Sequence, residues 1–271
     1  MITQAALGQA NKGLSTSLER LSTGLRVNRA ADDAAGLSVS EQLRTQVRGT
    51  RMAIRNAGDG TSLLRIAEGA ANEISAMLQR MRELAIQANN DTLTSVERSY
   101  LDQEFQALKD EVDRISKQTQ YNGVTLLDGG VNSFGVANGA SVLHIGANNS
   151  AGVDTISIGV DSVTTGALGI ETAAITSRVS INEAINSVDD AIKSVNAMRS
   201  SLGSAMNRLD HAVTNLEVQE ANMQSAESVI RDTDFAYEMT EFTRNQILNQ
   251  SATSMLAQAN SVPQSVLSLL S

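Results

Sequence analysis

The stretch that decides the fold is residues 181–230, INEAINSVDDAIKSVNAMRSSLGSAMNRLDHAVTNLEVQEANMQSAESVI. Every seventh residue in it is apolar: Ile181, Val188, Val195, Leu202, Leu209, Leu216, Met223 and Ile230. We assign the second position of this helix seam to the residues that lie four places after those just listed. That position is apolar except at Arg199, Glu220 and Glu227. Its apolar members are Ile185, Ile192, Met206 and Val213. Such a repeat is typical of a helix that packs on other helices as in a coiled coil.

The length of this repeat predicts an elongated molecule. At about 1.5 Å per residue, the run from Ile181 to Ile230 spans roughly 74 Å as one helix. A compact domain with the length of this chain would be only about 50 Å across. We therefore expect a mainly α, antiparallel helical hairpin or bundle with coiled-coil seams.

Both ends of the chain carry a similar pattern. Five leucines near the N-terminus are spaced 7, 4, 3 and 4 residues apart: Leu7, Leu14, Leu18, Leu21 and Leu25. Near the C-terminus the spacing alternates between 4 and 3: Leu248, Ala252, Met255, Ala259, Val262, Val266 and Leu269. Neither helix can bury these side chains alone, so we predict that residues 2–25 pair with 235–270. We name these twelve residues the predicted assembly seam.

The remaining helices are predicted at 34–88, 95–118 and 176–230. The first has apolar residues spaced 4 and 3 apart: Leu63, Ala67, Ala70, Ile74, Met77, Met81, Leu84 and Ala88. The second has the same spacing: Leu101, Phe105, Leu108, Val112 and Ile115. A polar loop at 28–36 precedes the first helix, with Asp32 or Asp33 suited to cap it.

Between about 121 and 172 the sequence is rich in Gly, Asn, Ser and Thr, and its pattern changes. The pairs Asn122-Gly123 and Gly129-Gly130 are turn signals, and short alternating runs at 142–145 and 155–160 predict strands. We therefore place a small β region at the distal tip of the helical body. The predicted domains are 1–30 with 234–271 (terminal coiled coil), 31–127 with 173–233 (helical rod) and 128–172 (β and turn-rich).

The composition and charge of the chain argue against several classes of function. Aromatic residues make up 3% and there is one proline, which favours long helices. The formal net charge of -9 argues against a nucleic-acid partner. No run of apolar residues is long enough to predict membrane insertion, and no signal-peptide pattern opens the chain. Cysteine is absent, which excludes disulfides and thiolate chemistry.

Nothing in the sequence predicts catalysis, a metal or a cofactor. The two histidines, His144 and His211, lie far apart and lack the spacing of metal ligands. Most Asp and Glu residues fall on the polar faces of the predicted helices, where we expect solvated surface. We therefore predict a structural protein and not an enzyme.

Four stretches resemble bacterial flagellin closely and in the family's order: 18–36 (LERLSTGLRVNRAADDAAG), 78–87 (LQRMRELAIQ), 115–126 (ISKQTQYNGVTL) and 245–270 (NQILNQSATSMLAQANSVPQSVLSLL). The similarity covers nearly everything outside about 128–172. It implies a short-form subunit of the flagellar filament, with its terminal helices in the inner tube and its middle stretch facing solvent. Family members usually carry an INTN-like stretch before the position of Ile2, so we expect either a truncated start or a naturally short one.

The resemblance also implies partners and a location. Flagellins are exported unfolded through a type III apparatus, with a chaperone and a cap, and polymerise outside the cell as the flagellar filament that serves swimming motility. Members of one group are recognised by the innate immune Toll-like receptor 5 through the LQRxRELA segment. Carried over, this implies that Arg80, Glu83 and Leu84 are receptor contacts, although packing between subunits is an alternative role for them.

Three other functions remain as alternatives. A protein of the junction between hook and filament would share the terminal seams, although the complete match at 245–270 favours the filament subunit. A coiled-coil sensor or adhesin would need a membrane span or anchor, and an enzyme fits least. For the filament subunit we expect terminal helices that are partly disordered in the monomer and order when copies stack.

Overall fold

Five helices make up most of the part of the chain that the structure describes. The structure is a computed structural model that describes residues 2–130, 133–134, 141–150 and 152–270, with only the backbone for 2, 3 and 260–270. The helices are α1 (Ile2–Thr23), α2 (Ala34–Ala88), α3 (Ser95–Gln118), α4 (Arg178–Arg231) and α5 (Phe235–Leu270). The mainly α class is confirmed, and α2 and α3 have the bounds that the sequence predicted.

The chain divides into two compact units. Unit 1 contains residues 1–47 and 220–271, and unit 2 contains residues 48–219. The stretch predicted as a separate β region, 128–172, belongs to unit 2. The limits predicted for the three domains, and the elongated outline of the whole molecule, stay predictions.

The buried face of α4 follows a seam with alternating spacings of 3 and 4. Its members are Ile181, Ala184, Val188, Ala191, Val195, Met198, Leu202, Ala205 and Leu209. The predicted second seam position is therefore wrong by one residue, because its members are only partly buried: Ile185, Ile192, Met206 and Val213. A repeat of seven fixes one seam position, and the next can lie three or four residues on. Alanines occupy the buried position at 184, 191 and 205, and Met198 occupies the remaining one.

The core of unit 2 uses a wider face of α2 than the predicted stripe. Most of the predicted residues are buried, while Ala70 and Met77 are partly buried. A parallel row is also fully or nearly fully buried: Leu64, Ala71, Leu78 and Ala85. Two rows are needed because α2 has neighbours on two sides, as the ion pairs of Arg80 with Glu104 on α3 and of Arg82 with Asp189 on α4 show.

Helix ends follow the predicted capping chemistry. The Oδ1 atom of Asp33 accepts the N–H of Gly36 at 2.9 Å, so Asp33 caps α2. Asp32 instead accepts the N–H groups of Asn28 and Arg29 and closes the preceding loop. These hydrogen bonds lower the pKa of the Asp32 carboxyl. At the start of α3, Thr94 and Glu97 form a reciprocal capping box.

Two short antiparallel strand pairs complete unit 2. Strands β1 (Gln120–Tyr121) and β2 (Val124–Thr125) are joined through Asn122 and Gly123, which have φ angles of 49° and 81°. Two successive positive φ angles are the mark of the tight hairpin turn that Asn-Gly favours, so the predicted turn is confirmed. Strands β3 (Ser141–His144) and β4 (Thr155–Ile158) pair with Ser141 opposite Ile158. Both predicted strands are present to within two residues.

The β3–β4 hairpin lies along α2 and does not form the tip that we predicted. The side chain of Leu143 lies directly against Gly60, and Asn56 Nδ2 donates to the carbonyl oxygen of His144 at 3.0 Å. The other end of unit 2 holds the α2–α3 turn, where Arg178 at the start of α4 pairs with Asp91 at 3.0 Å.

The stretch predicted to face solvent also supplies part of the core. Several of its apolar side chains are buried with the helices: Ile145, Ile156, Ile158, Val160, Val163, Leu168 and Ile170. Burying these residues against α2, α3 and α4 is more favourable than exposing them, which explains why the hairpin folds back.

One polar face of α3 holds the irregular segment 165–175 in place. Its side chains, spaced 4 and 3 residues apart, bond to backbone groups of this segment. Asp102 Oδ1 accepts the N–H of Ile175 at 2.8 Å. The remaining bonds are Gln106 to the Ala173 oxygen, Lys109 to the Glu171 oxygen and Asp113 to the Thr165 N–H. Our expectation of a solvated polar face is therefore wrong for this side of α3.

We expect Asp102→Ala to lower the free energy of unfolding by about 1–3 kcal/mol, because it leaves the partly buried N–H of Ile175 without its acceptor. Urea unfolding followed by circular dichroism measures the change, and hydrogen exchange should accelerate at the Ile175 amide. Asp110→Ala, at an exposed position on the same helix, is the matched control and should change little. Equal effects of the two substitutions would contradict the role given to Asp102.

Candidate assembly surface

Helices α1 and α5 of unit 1 pack against each other, and small side chains lie in the contact. Ala10 and Ser17 on α1 are buried, at 6% and 3% exposure. Between them lies Gly13, where an added Cβ would come within 2.8 Å of the Asn245 side chain on α5. Helix axes normally lie about 8–10 Å apart, and small side chains at the contact allow the shorter distances. Gly13 is therefore required by the fit of Asn245.

Sequence reasoning missed these contact residues, although a signal was present. Ala6, Ala10, Gly13 and Ser17 have the same 4, 3, 4 spacing that identified the leucines. Because small residues carry little hydrophobic weight, we followed the leucines instead. A search for small residues at heptad spacing would have found this face.

Two polar pairs cross between the helices. Arg20 Nη1 lies 3.4 Å from Glu238 Oε2, and the Glu238 side chain is only 5% exposed. Asn249 Nδ2 donates to Asn11 Oδ1. A buried carboxylate is costly without a partner, so Arg20 is what makes the buried position of Glu238 tolerable.

The predicted pairing of α1 with α5 is present, and the residues of the predicted assembly seam differ in their burial. Leu7, Leu14, Leu21, Leu25 and Ala252 are partly buried. Four others are exposed: Leu18, Leu248, Met255 and Ala259. The side chains of Val262, Val266 and Leu269 lie outside the described residues. The small-residue face brings the two backbones closer than leucines would allow, and this turns several large apolar side chains outward.

The outward apolar side chains line two grooves. One lies along α5 and is lined by Met239, Thr240, Thr243, Arg244, Ile247 and Leu248. The other lies between α1 and α5, and its apolar wall includes Ala6, Ala10, Leu248, Ala252 and Met255. Leu248 belongs to both grooves. Met239, Ile247, Leu248 and Met255 are each about half exposed or more, so these grooves can accept apolar side chains from outside the chain.

Backbone hydrogen bonds join the loop after α1 to the loop after α4. The N–H of Arg26 donates to the Arg231 oxygen at 2.7 Å, and the N–H of Thr233 donates to the Gly24 oxygen at 3.0 Å. Gly24 has φ of 72°, which glycine adopts without strain and which turns the chain out of α1. This short bridge joins the segment after the end of α1 to the segment before the start of α5.

A charged pair supports the same junction. Arg231 Nη1 donates to Glu41 Oε1 on α2 at 2.7 Å, and the Arg231 side chain is 14% exposed. The hydrogen bond from Arg231 lowers the pKa of the Glu41 carboxyl below its ordinary value of 4.5. The pair therefore joins the start of α2 to the end of α4 within unit 1.

The predicted receptor residues lie on α2 in unit 2 and differ in exposure. The side chains of Arg80 and Glu83 are 49% and 68% exposed. Arg80 pairs with Glu83 and, at 2.9 Å, with Glu104 on α3. The carboxylates of Glu83 and Glu104 raise the pKa of Arg80. Leu84 is fully buried in the core. Its prediction as a receptor contact is therefore corrected, because its side chain is not available at the surface.

The described residues contain no cluster of three or more His, Asp or Glu side chains arranged to hold a metal ion. His144 and His211 are both exposed. Within the same residues, no helix combines the length and apolar character required to cross a membrane.

Comparison with known families identifies the chain. The profile of the bacterial flagellin N-terminal helical region matches residues 1–132, and that of the bacterial flagellin C-terminal helical region matches residues 185–270. The chain belongs to the bacterial flagellin family. It is 46% identical to a flagellin of Halalkalibacterium halodurans over 94% of this chain and 90% of that protein. It is 43% identical to flagellin FlaB2 of Treponema pallidum over 100% of this chain and 96% of that protein.

Solved structures agree with this assignment. The crystal structure of Bacillus cereus flagellin superposes with a TM-score of 0.52 at 33% identity and covers 64% of this chain and 94% of that one. A putative flagellar hook-associated protein from Vibrio parahaemolyticus has a TM-score of 0.60 at 15% identity, over 74% of this chain and 99% of that one. At that identity the second likeness shows a shared fold alone.

Membership of the flagellin family makes this chain a structural subunit of the flagellar filament. The prediction made from the four sequence stretches is confirmed. Nothing in the comparisons favours the alternative of a protein at the junction of hook and filament.

We expect Glu41→Gln to reduce the acid sensitivity of unit 1. Because the folded pKa of Glu41 is lowered, its contribution to stability is present above its unfolded pKa and is lost as the pH falls through the folded pKa. The melting temperature of Glu41→Gln should thus lie below that of the unchanged flagellin at neutral pH and converge with it in acid. Thermal melts over a pH series measure this.

Asp190→Asn is the control for the Glu41 experiment. It removes the carboxylate of an exposed ion pair with Lys193 within one helix, and such pairs contribute little. Parallel melting curves of Glu41→Gln and the unchanged flagellin at every pH would contradict the assignment.

Proposed function

We propose that α1 and α5 form the element through which copies of this flagellin polymerise. The observation that supports this is the row of exposed apolar side chains on α5 beside the two grooves: Met239, Ile247, Leu248 and Met255. Burying one such side chain fully contributes about 1.5–3 kcal/mol. Several of them buried at once would outweigh part of the entropy lost on association.

A second copy of the same chain suits these grooves because the chain itself supplies the complementary parts. The exposed Leu18 on α1 and Leu248 and Met255 on α5 are apolar side chains, and the grooves are apolar clefts. A contact between two different surfaces of one chain, repeated without closing on itself, produces a filament. The predicted assembly seam thus keeps its proposed role, with its exposed members Leu18, Leu248 and Met255 available for contacts between copies.

We expect deletion of residues 248–271 to leave unit 2 folded and to abolish polymerisation, because it removes most of the α5 surface. Sedimentation after seeding, followed by electron microscopy of the pellet, detects filaments. Normal filaments from the deleted chain would rule out the proposed element.

A single substitution tests the same surface without shortening the chain. Leu248→Lys places a charge where both grooves meet and should prevent sedimentable filaments while leaving the circular dichroism spectrum of the monomer unchanged. Val153→Lys is the matched control, since Val153 is 79% exposed in unit 2. Equal loss of filaments in the two variants would show that α5 has no special part in assembly.

The order of the terminal helices should depend on polymerisation. A pair of helices with exposed apolar faces is marginal in water, so we propose that α1 and α5 gain order when copies stack. Circular dichroism before and after seeding should show a rise in helix content, and an unchanged spectrum would count against it.

Family membership also supports a route to the filament. We propose that a type III export apparatus secretes the chain, with a chaperone that binds it before export and a cap under which it is added to the filament. The filament then lies outside the cell. Retention of the chain inside cells that lack the export apparatus, with secretion restored by complementation, is the result we expect.

Recognition by Toll-like receptor 5 is a second proposed activity, supported by the exposure of Arg80 and Glu83 on α2. Because Leu84 is buried, it would act by holding the helix in place and not by touching the receptor. Arg80→Ala should lower receptor-driven reporter activity of the monomer without changing its circular dichroism spectrum. Arg178→Ala removes a comparably exposed arginine that also pairs with a carboxylate, and it should leave the activity intact.

A further inference from the structure

The register of α1 against α5 is marked by two matches that fall on the same alignment. Arg20 lies opposite Glu238, and Gly13 lies opposite Asn245. Moving seven residues along α1 in one direction corresponds to moving seven along α5 in the other. Both matches therefore belong to one antiparallel register, and Ala6 and Ala252, which follow in the same series, line one groove.

The apolar pattern alone does not define this register. Apolar and small residues recur at heptad spacing on both helices, so a shift by seven residues keeps similar faces together. In one direction such a shift would place Glu238 opposite Gly13, and in the other it would place Glu238 beyond the end of α1 at Thr23. In both cases a carboxylate that is now 5% exposed loses its arginine.

The cost of a shifted register comes from charge and from shape. A buried carboxylate without a partner is strongly destabilising, far more than an exposed ion pair is stabilising. The side chain of Asn245 also needs the absence of a Cβ at Gly13, since an added Cβ there would lie within 2.9 Å of its amide atoms. The other registers place side chains with a Cβ against Asn245.

We propose that two contacts specify the register of α1 on α5: the ion pair of Arg20 with Glu238 and the steric match of Gly13 with Asn245. This goes beyond a contribution to stability, because the register decides which apolar side chains of the two helices lie side by side at the surface. A shift of seven residues would displace α1 by about 10 Å along α5. In a polymer of identical subunits, that displacement would misplace every contact made by the exposed leucines. This meaning for the filament rests on the proposed assembly function, while the register itself is a property of the single chain.

The absence of natural cysteine makes the register directly measurable. Two reporter pairs are introduced separately into the full chain: Ala6→Cys with Ala252→Cys, which reports the observed register, and Ala6→Cys with Ala259→Cys, which reports a shift by seven. The yield of intramolecular disulfide under mild oxidation is measured for each, at low protein concentration, and expressed as a ratio. The first pair should dominate in the otherwise unchanged chain.

Charge substitutions then test the ion pair. Arg20→Glu places a second carboxylate beside Glu238 and should lower the ratio by at least about tenfold. The exchange Arg20→Glu with Glu238→Arg restores the attraction and should recover most of the ratio. If Arg20→Glu lowered the ratio only by damaging the fold, the exchange would not recover it. Arg244→Gln, which removes an exposed ion pair within α5, is the control and should leave the ratio unchanged.

Glycine substitutions test the steric match. Gly13→Val should lower the ratio, while Gly8→Val on the same helix, where an added Cβ meets no atom within 4 Å, should not. An unchanged ratio in both Arg20→Glu and Gly13→Val would overturn the proposal. So would a failure of the charge exchange to recover the ratio, or an equal loss of both disulfides, since these outcomes indicate lost pairing and not a changed register.

The test of the register can be separated from the test of the assembly function. Filament formation by the Leu248→Lys variant decides whether the α5 surface drives assembly, and the disulfide ratio decides the register whether or not filaments form. Register variants that lose the ratio and yet sediment as normal filaments would overturn the inferred link to the filament and leave the register assignment intact.

Discussion

The close approach of α1 and α5 is the constraint on which the assembly surface depends. Gly13 admits the Asn245 side chain, and Ala10 and Ser17 are buried beside it. Because the small residues occupy the contact, large apolar residues such as Leu248 and Met255 are left outside it. The same packing that joins the two helices therefore creates the exposed surface that a filament subunit needs.

Unit 2 uses its apolar side chains differently, because its helices bury a continuous core between them. Its alternating seam of large residues and alanines on α4 meets a broad apolar face of α2, and the β3–β4 hairpin and segment 165–175 cover what the helices leave open. Polar side chains of α3 hold that segment by its backbone, so the irregular chain keeps its hydrogen bonds without forming a strand or helix. The two units thus use similar heptad sequences for different ends, one for a closed core and one for an open face.

The sequence predicted local structure correctly where a pattern is compatible with only one structure. A heptad run with capping residues can only be a helix, so the bounds of α2 and α3 and the roles of Asp33 and Asn122-Gly123 were predictable. The prediction failed where two neighbouring residues both fit the same position of a helix seam. Ala184 and Ile185 both fit a seam beside Ile181, and the structure buries the smaller one. Leu84 was predicted as a receptor contact because its motif resembles a receptor-binding segment, although it also belongs to the apolar stripe of α2, which correctly indicated its burial.

The amino-acid sequence by itself determined the five helices, the strands β3 and β4, the turn between β1 and β2, the pairing of the chain ends and membership of the flagellin family. These follow from local spacing and from motifs, and local spacing is a property of neighbouring residues. Tertiary structure alone decided which face of each terminal helix is buried, that the hairpin lies along α2, and that Glu238 meets Arg20. Those outcomes depend on the sizes and charges of residues far apart in the chain, 218 positions for Arg20 and Glu238 and 88 for Asn56 and His144, and spacing within one helix carries no information about them.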